Sequence, residues 1–157
     1  MAGVGTLGVP QTLLNANNST RQERLGAVYI TDGKRYVYVQ AQTTLLSGYV
    51  VGLVNSTSAN GTPFQVGPDI SDNVIKAAAG VAVAVLSTSN FGWVQTHGQC
   101  PRVKTSGSVV AGDPLWWSAD MVARKIAGLA SEIVFGYARK ADSGSILTLA
   151  YLNCSVI

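Results

Sequence analysis

From Leu25 to the C-terminus, apolar β-branched runs of roughly four to eight residues are cut again and again by glycine-bearing turns. Helical spacing is found only in two short stretches, within 69 to 80 and 119 to 130, so most of the chain is confined to short strands. Residues 31 to 34 read Thr-Asp-Gly-Lys between Leu25–Ile30 and Arg35–Gln40, and Asp-Gly between two β-rich runs specifies a hairpin, because glycine accepts the positive φ of a tight turn. In the second run Val37 and Val39 point one way and Tyr36, Tyr38 and Gln40 the other. The valines are assigned to the core.

Further strands are predicted at Tyr49–Val54, Val81–Leu86, Glu132–Ala138 and Ser145–Leu152. Asn55 to Gly67 is loop by composition, and a short helix is predicted over Asp69 to Gly80, capped by Ser71 and closed by Gly80. Ala119 to Ala130 suits a helix or a strand; its surroundings favour a strand. Strands at roughly ten-residue spacing argue for an all-β barrel or sandwich.

The segment from Phe91 to Trp117 holds all three tryptophans, the single histidine and one of the two cysteines. It reads as a strand, a Thr-His-Gly turn at 96 to 98, a second strand and a Gly-Asp-Pro turn. Trp93, Val103 and Val109 alternate with polar neighbours, which makes this a packing centre. Trp93, Val83, Val37 and Val39 are the predicted core anchors.

Residues 1 to 20 are rich in Gly, Asn, Thr and Ser and show no periodicity, so they are read as an extended arm preceding a single β-barrel domain over 21 to 157. So neutral a segment gains little from solvent and orders best on a neighbouring surface. Val4, Leu7, Val9, Pro10, Leu13 and Leu14 are its predicted contacts with other protein.

Charged residues make up only 12% of the 157 residues, against about 25% in an average soluble domain. A surface so sparsely charged suits burial against other protein. No apolar run approaches the roughly 20 residues of a membrane-spanning helix, and the N-terminus lacks the basic and apolar regions of a secretory signal. A cytoplasmic site of synthesis and no membrane partner are expected. The net charge of +3 comes from basic residues scattered as singles and pairs beside turns, which is a solvated face and not a nucleic-acid stripe.

Three patterns invite chemistry. Gly3-Val-Gly-Thr-Leu-Gly8 matches a dinucleotide fingerprint in letters, yet only two residues precede it and Pro10 follows, so neither the delivering strand nor the receiving helix has room. His97, Cys100 and Asp113 offer the residue types of a nucleophilic set without a spacing signature linking them. Asp69 and Asp72 could share a loop cation but do not form a calcium-loop pattern. No catalytic residue, cofactor or metal is expected, and the two cysteines are read as small buried hydrophobes.

Gly26 to Gly48, reading Gly-x-Val-x-x-x-Asp-Gly-x-x-Tyr-x-Tyr-Val-x-Ala and then Leu-x-Ser-Gly, resembles the opening module of small structural proteins encoded beside tailed-phage major capsid proteins. Phe91 to Gly98, the Val109-Val-Ala-Gly-Asp-Pro-Leu115 turn, Ile133 to Ala138 and the last apolar run look like the rest of that pattern. The resemblance implies a capsid decoration, or cement, protein. Its expected properties are a β-barrel or β-tulip domain with at most one or two short helices, a homotrimer, and a place on the outer surface of an icosahedral head, where it clamps the major capsid protein. The alternatives are a small β-barrel enzyme or ligand-binding domain using His97 and Cys100, or another head or tail component of the virion.

Overall fold

The structure is a computed structural model that describes residues 11 to 54, 63 to 68, 78 to 117, 121 to 125, 134 to 141 and 147 to 154. Among these the order is α1 (Gln11–Leu14), β1 (Val28–Thr31), β2 (Lys34–Ala41), β3 (Val50–Leu53), β4 (Gln65–Gly67), β5 (Ala78–Ala82), β6 (Phe91–Lys104), β7 (Pro114–Trp117), β8 (Ala123–Lys125), β9 (Val134–Ala138) and β10 (Leu147–Asn153). The fold is all-β, as the turn rhythm requires.

Five strands close on themselves in the order β2-β4-β3-β5-β6, with β6 returning to β2 through antiparallel pairs from Gln40↔Phe91 to Arg35↔His97. The same β6 then pairs with β10 from His97↔Asn153 to Lys104↔Leu147, opening a second antiparallel sheet in the order β6-β10-β9-β7-β8. One long strand therefore belongs to both the barrel and the sheet beside it. This corrects the reading of 91 to 104 as two strands around a turn. Gly98 has φ +89° yet stays in register opposite Leu152, and the chain bulges two residues earlier, where Thr96 is the extra residue between Tyr36↔Gln95 and Arg35↔His97.

A second irregularity follows from Pro101. Between Cys100↔Ala150 and Val103↔Thr148 the register slips, leaving Pro101 and Arg102 opposite Leu149. A proline has no N–H for the ladder, so a bulge is where a strand tolerates it.

Alternation sorts the apolar residues into three clusters. Val37, Val39, Val51, Val66 and Val94 fill the barrel, and Leu45 and Leu86 join them while exchanging backbone hydrogen bonds of 2.8 and 2.9 Å. Val50, Val81, Cys100, Val103, Leu115, Trp117, Phe135 and Leu152 form the layer between the barrel wall and the second sheet. Leu14, Leu25, Tyr36, Tyr38 and Trp93 form the third, on the outside of β2 and β6. The valines of β2 do face inward, but Tyr36 and Tyr38 are buried as well, so this strand is covered on both faces. Trp93 is buried in the third cluster, whereas Val83 is only partly buried at its margin.

Two further expectations need correction. Ala78 to Gly80, the end of the predicted helix, are strand, because the pairs Gly52↔Ala78 and Val51↔Gly80 hold them to β3. Residues 69 to 77 lie outside the described residues. The second correction concerns the arm, which is not extended from Gln11 to Leu14 but forms one helical turn. Leu14 is 1% exposed against the chain's own aromatics, so its apolar surface is already used and is removed from the predicted intermolecular contacts. Asn18 then exchanges backbone hydrogen bonds with Phe91, and the Asn17 side chain accepts from Ser87 N at 3.0 Å and Asn90 Nδ2 at 2.8 Å. Leu13, on the same helical turn as Leu14, is 49% exposed. Val4, Leu7, Val9 and Pro10 lie outside the described residues.

The joint between barrel and sheet is tight at Gly52, where an added Cβ would run into the ring of Trp117. Gly52→Ala overpacks this layer and lowers stability by about 1–3 kcal/mol. A thermal melt reads the change, and an unchanged midpoint would mean the two layers are not in close contact.

Candidate functional site

On β10 the burial pattern alternates strictly, with Thr148, Ala150 and Leu152 inside and Leu147, Tyr151 and Asn153 outside. On β9, Val134 and Tyr137 face outward while Phe135 and Ala138 face in. The register sets Tyr137 directly opposite Tyr151. Both rings are nearly half exposed, at 49% and 43%, so the outer face of the second sheet carries a cross-strand pair of tyrosines.

His97 fixes one of them. The strand pairing puts His97 beside Asn153, and the Tyr151 hydroxyl lies 3.1 Å from His97 Nε2 with the two rings edge-on at 78°. Beside Tyr137 and Tyr151 runs an open groove of about 530 Å³, lined by these two and by Ala111, Gly112, Ala138 and Arg139. Amphipathic rings held in place by neighbours offer contact area at low entropic cost, the property that makes tyrosine common in binding surfaces. Val110 at 55% exposed extends the apolar surface beyond the turn that borders the groove.

That turn is built by Asp113. Its carboxylate accepts from Val110 N at 2.9 Å and pairs with Lys125 Nζ at 3.0 Å. The Val110 amide, and then the Lys125 ammonium, hold the Asp113 carboxyl below its ordinary value of 3.8. A depressed folded-state pKa stabilises the protein above the unfolded value and ceases to do so as pH falls through the folded one. Asp113→Asn is therefore expected to lower the melting temperature at neutral pH, with the gap to wild type closing as the pH is taken down through the acid range below the ordinary carboxylate value. Equal gaps across the acid range would remove Asp113 from this role.

The sequence-level trio is not brought together. His97 turns to Tyr151, Asp113 to Val110 and Lys125, and the Cys100 thiol to the Arg102 carbonyl at 3.5 Å. Burial pushes the Cys100 thiol up to about 11, against smaller opposing effects of the Arg102 backbone and the Lys34 charge. Burial, with Cys100 adding to it, raises Cys154 to about 12. Both cysteines are free and share the layer between barrel and sheet. At pH 8 neither is expected to react with a disulfide reagent until the protein is unfolded, when two thiols per chain appear. Rapid labelling of the folded protein would show a reactive thiolate instead.

Among the described residues no group of three or more His, Cys, Asp or Glu could hold a metal ion, and no helix is long and apolar enough to cross a membrane. Gly3 to Gly8, Asp69 and Asp72 lie outside the described residues. Tyr137 and Tyr151 are candidate functional residues that the sequence alone does not single out. The period-two alternation of residues 145 to 152 does separate Tyr151 from Leu152, but it does not say which face meets solvent.

Fold and surface together define a small all-β scaffold with an aromatic groove on its outer sheet. No protein-family model matches the chain, and no curated protein matches it by sequence. Its architecture is similar to a solved structure, that of the head fiber gp8.5 N base in bacteriophage phi29. The TM-score is 0.53 at 16% identity, over 75% of this chain and 92% of the fiber base. At that identity the likeness is one of fold.

Proposed function

We propose that this chain is a structural component of a bacteriophage virion, and specifically a decoration protein that binds the outer surface of the head. The observation that carries the reading is the fold shared with a head fiber base, whose described length is almost entirely matched. Composition supports it independently, since 12% charged residues leave a surface suited to protein contacts.

In this reading the groove at Tyr137 and Tyr151 receives the major capsid protein. Val4, Leu7, Val9, Pro10 and Leu13 of the arm lie on a neighbouring subunit or on the capsid. The copies act as a homotrimer, so that several modest contacts made by linked subunits add up to a clamp that a single contact could not provide. Binding only the assembled head also stabilises it by mass action. The role requires no catalytic residue and no cofactor.

The test is co-sedimentation of purified protein with undecorated heads from the phage that encodes it. Tyr137→Ala with Tyr151→Ala, and separately removal of residues 1 to 10, are each expected to weaken binding about tenfold or more while leaving the melting temperature near wild type. Failure of the wild-type protein to bind heads, together with its absence from purified virions by mass spectrometry, would overturn the proposal.

A further inference from the structure

A smaller cavity lies on the other side of β6. The pairing of β2 with β6 ends at Arg35↔His97, just past the bulge at Thr96. Beyond that point a cavity of about 110 Å³ is lined by Asn15, Lys34, Tyr36, Gln95, Cys100 and Arg102, among others. Sites for drug-sized ligands start at about 300 Å³, so this one has room for a single small group.

Its charge is one-sided. Lys34 and Arg102 bring two positive charges to the lining, no carboxylate lines it, and among the described residues neither cation has an ion-pair partner. Cys100 does not compensate them, since its buried thiol stays neutral at physiological pH. Gln95 is 1% exposed and donates its side-chain amide to the carbonyls of His97 and Gln99, both at 3.1 Å, which makes it a fixed wall. Tyr36 is 4% exposed, and its hydroxyl has no hydrogen-bond acceptor among the described residues. Burial, more than its neighbours Cys100 and Asp32, raises its pKa and keeps the phenol a donor. The Pro101–Arg102 bulge takes Arg102 out of the ladder's alternation and leaves it exposed at the rim.

We infer that this cavity is an oxyanion site, in which Lys34, Arg102 and the Tyr36 hydroxyl hold one carboxylate or phosphate group. Two cations and a phenolic donor around a space of this size match the charge and the acceptor count of such a group. The inference is independent of the virion reading, because it rests on the cavity alone. A free anion and an acidic side chain of another protein present the same oxygens, and the two arms of the test below tell them apart.

Titration of the ¹⁵N-labelled full chain followed by NMR, at constant ionic strength, tests it in two arms. One arm uses inorganic phosphate, the other a short blocked peptide with a single Asp. A saturable shift of the Gln95 side-chain amide and of the Gly98 amide is expected in at least one arm, with a dissociation constant in the millimolar range. Lys34→Met and Arg102→Gln should each weaken it about tenfold, and Tyr36→Phe about threefold, with the rest of the spectrum unchanged. Tighter binding of the peptide assigns the site to a protein carboxylate, and tighter binding of phosphate assigns it to a free anion. Linear, non-saturating shifts in both arms, or shifts that the substitutions leave intact, overturn the site.

Discussion

The strand β6 is the constraint on which the rest depends. Its first half completes the barrel by pairing with β2, and its second half carries the outer sheet by pairing with β10. Neither half is a strand end, so barrel and sheet cannot shift against each other without breaking a continuous backbone ladder. Between them lies a layer in which Val50 and Val81 of the barrel meet Leu115, Trp117 and Phe135 of the sheet. Burying each such side chain is worth about 1.5–3 kcal/mol, and all of them are buried through that one geometry. The ladder is interrupted at two bulges, one at Thr96 against β2 and one at Pro101–Arg102 against β10, where the missing N–H of the proline is tolerated.

The start of the described chain solves a different problem. β2 and β6 would otherwise expose Tyr36, Tyr38 and Trp93 on the outside of the barrel. Leu14 and Leu25 cover them, and the rings make edge contacts, with Tyr38 and Trp93 at 5.1 Å between centroids. The neutral composition of residues 11 to 18 suits this use, because Asn17 and Asn18 hydrogen-bond to the segment entering β6 without any charge having to be desolvated. A segment whose polarity suggests an arm for a neighbour is, over these residues, part of the chain's own core.

The sequence made some of this legible and hid the rest for physical reasons. Asp32 and Gly33 fixed the first hairpin because their positive φ values, 48° and 70°, are a local property that needs no tertiary context. The inward valines of β2 were readable from period two, but the burial of Tyr36 and Tyr38 was not, since it depends on Leu14, more than twenty residues earlier in the chain. Thr96 to Gly98 resembles a turn but is continuous strand with a bulge at Thr96, because a positive-φ glycine fits either, and only the pairing of both flanking halves decides between them. Ala78 to Gly80 carries helix-compatible alanine, yet β3 pairs with it directly, and β6 pairs with Val81 and Ala82 just beyond, so it is held extended. The tyrosine groove stayed hidden because two residues fourteen apart meet only once β9 and β10 pair.

A scaffold of this kind separates rigidity from recognition. The contacts that order the molecule lie in three buried clusters, while Tyr137, Tyr151 and Arg139 lie on the outer sheet and hold none of those clusters together. Tyr151 takes its orientation from His97, a residue of the shared strand, so the groove inherits the stiffness of β6 without drawing on its packing. A surface made this way loses little conformational freedom when a partner covers it, so more of the contact energy survives as affinity. For a protein proposed to work by holding others in place, that economy explains why its only histidine serves as a support and its thiols are buried in the layer beneath.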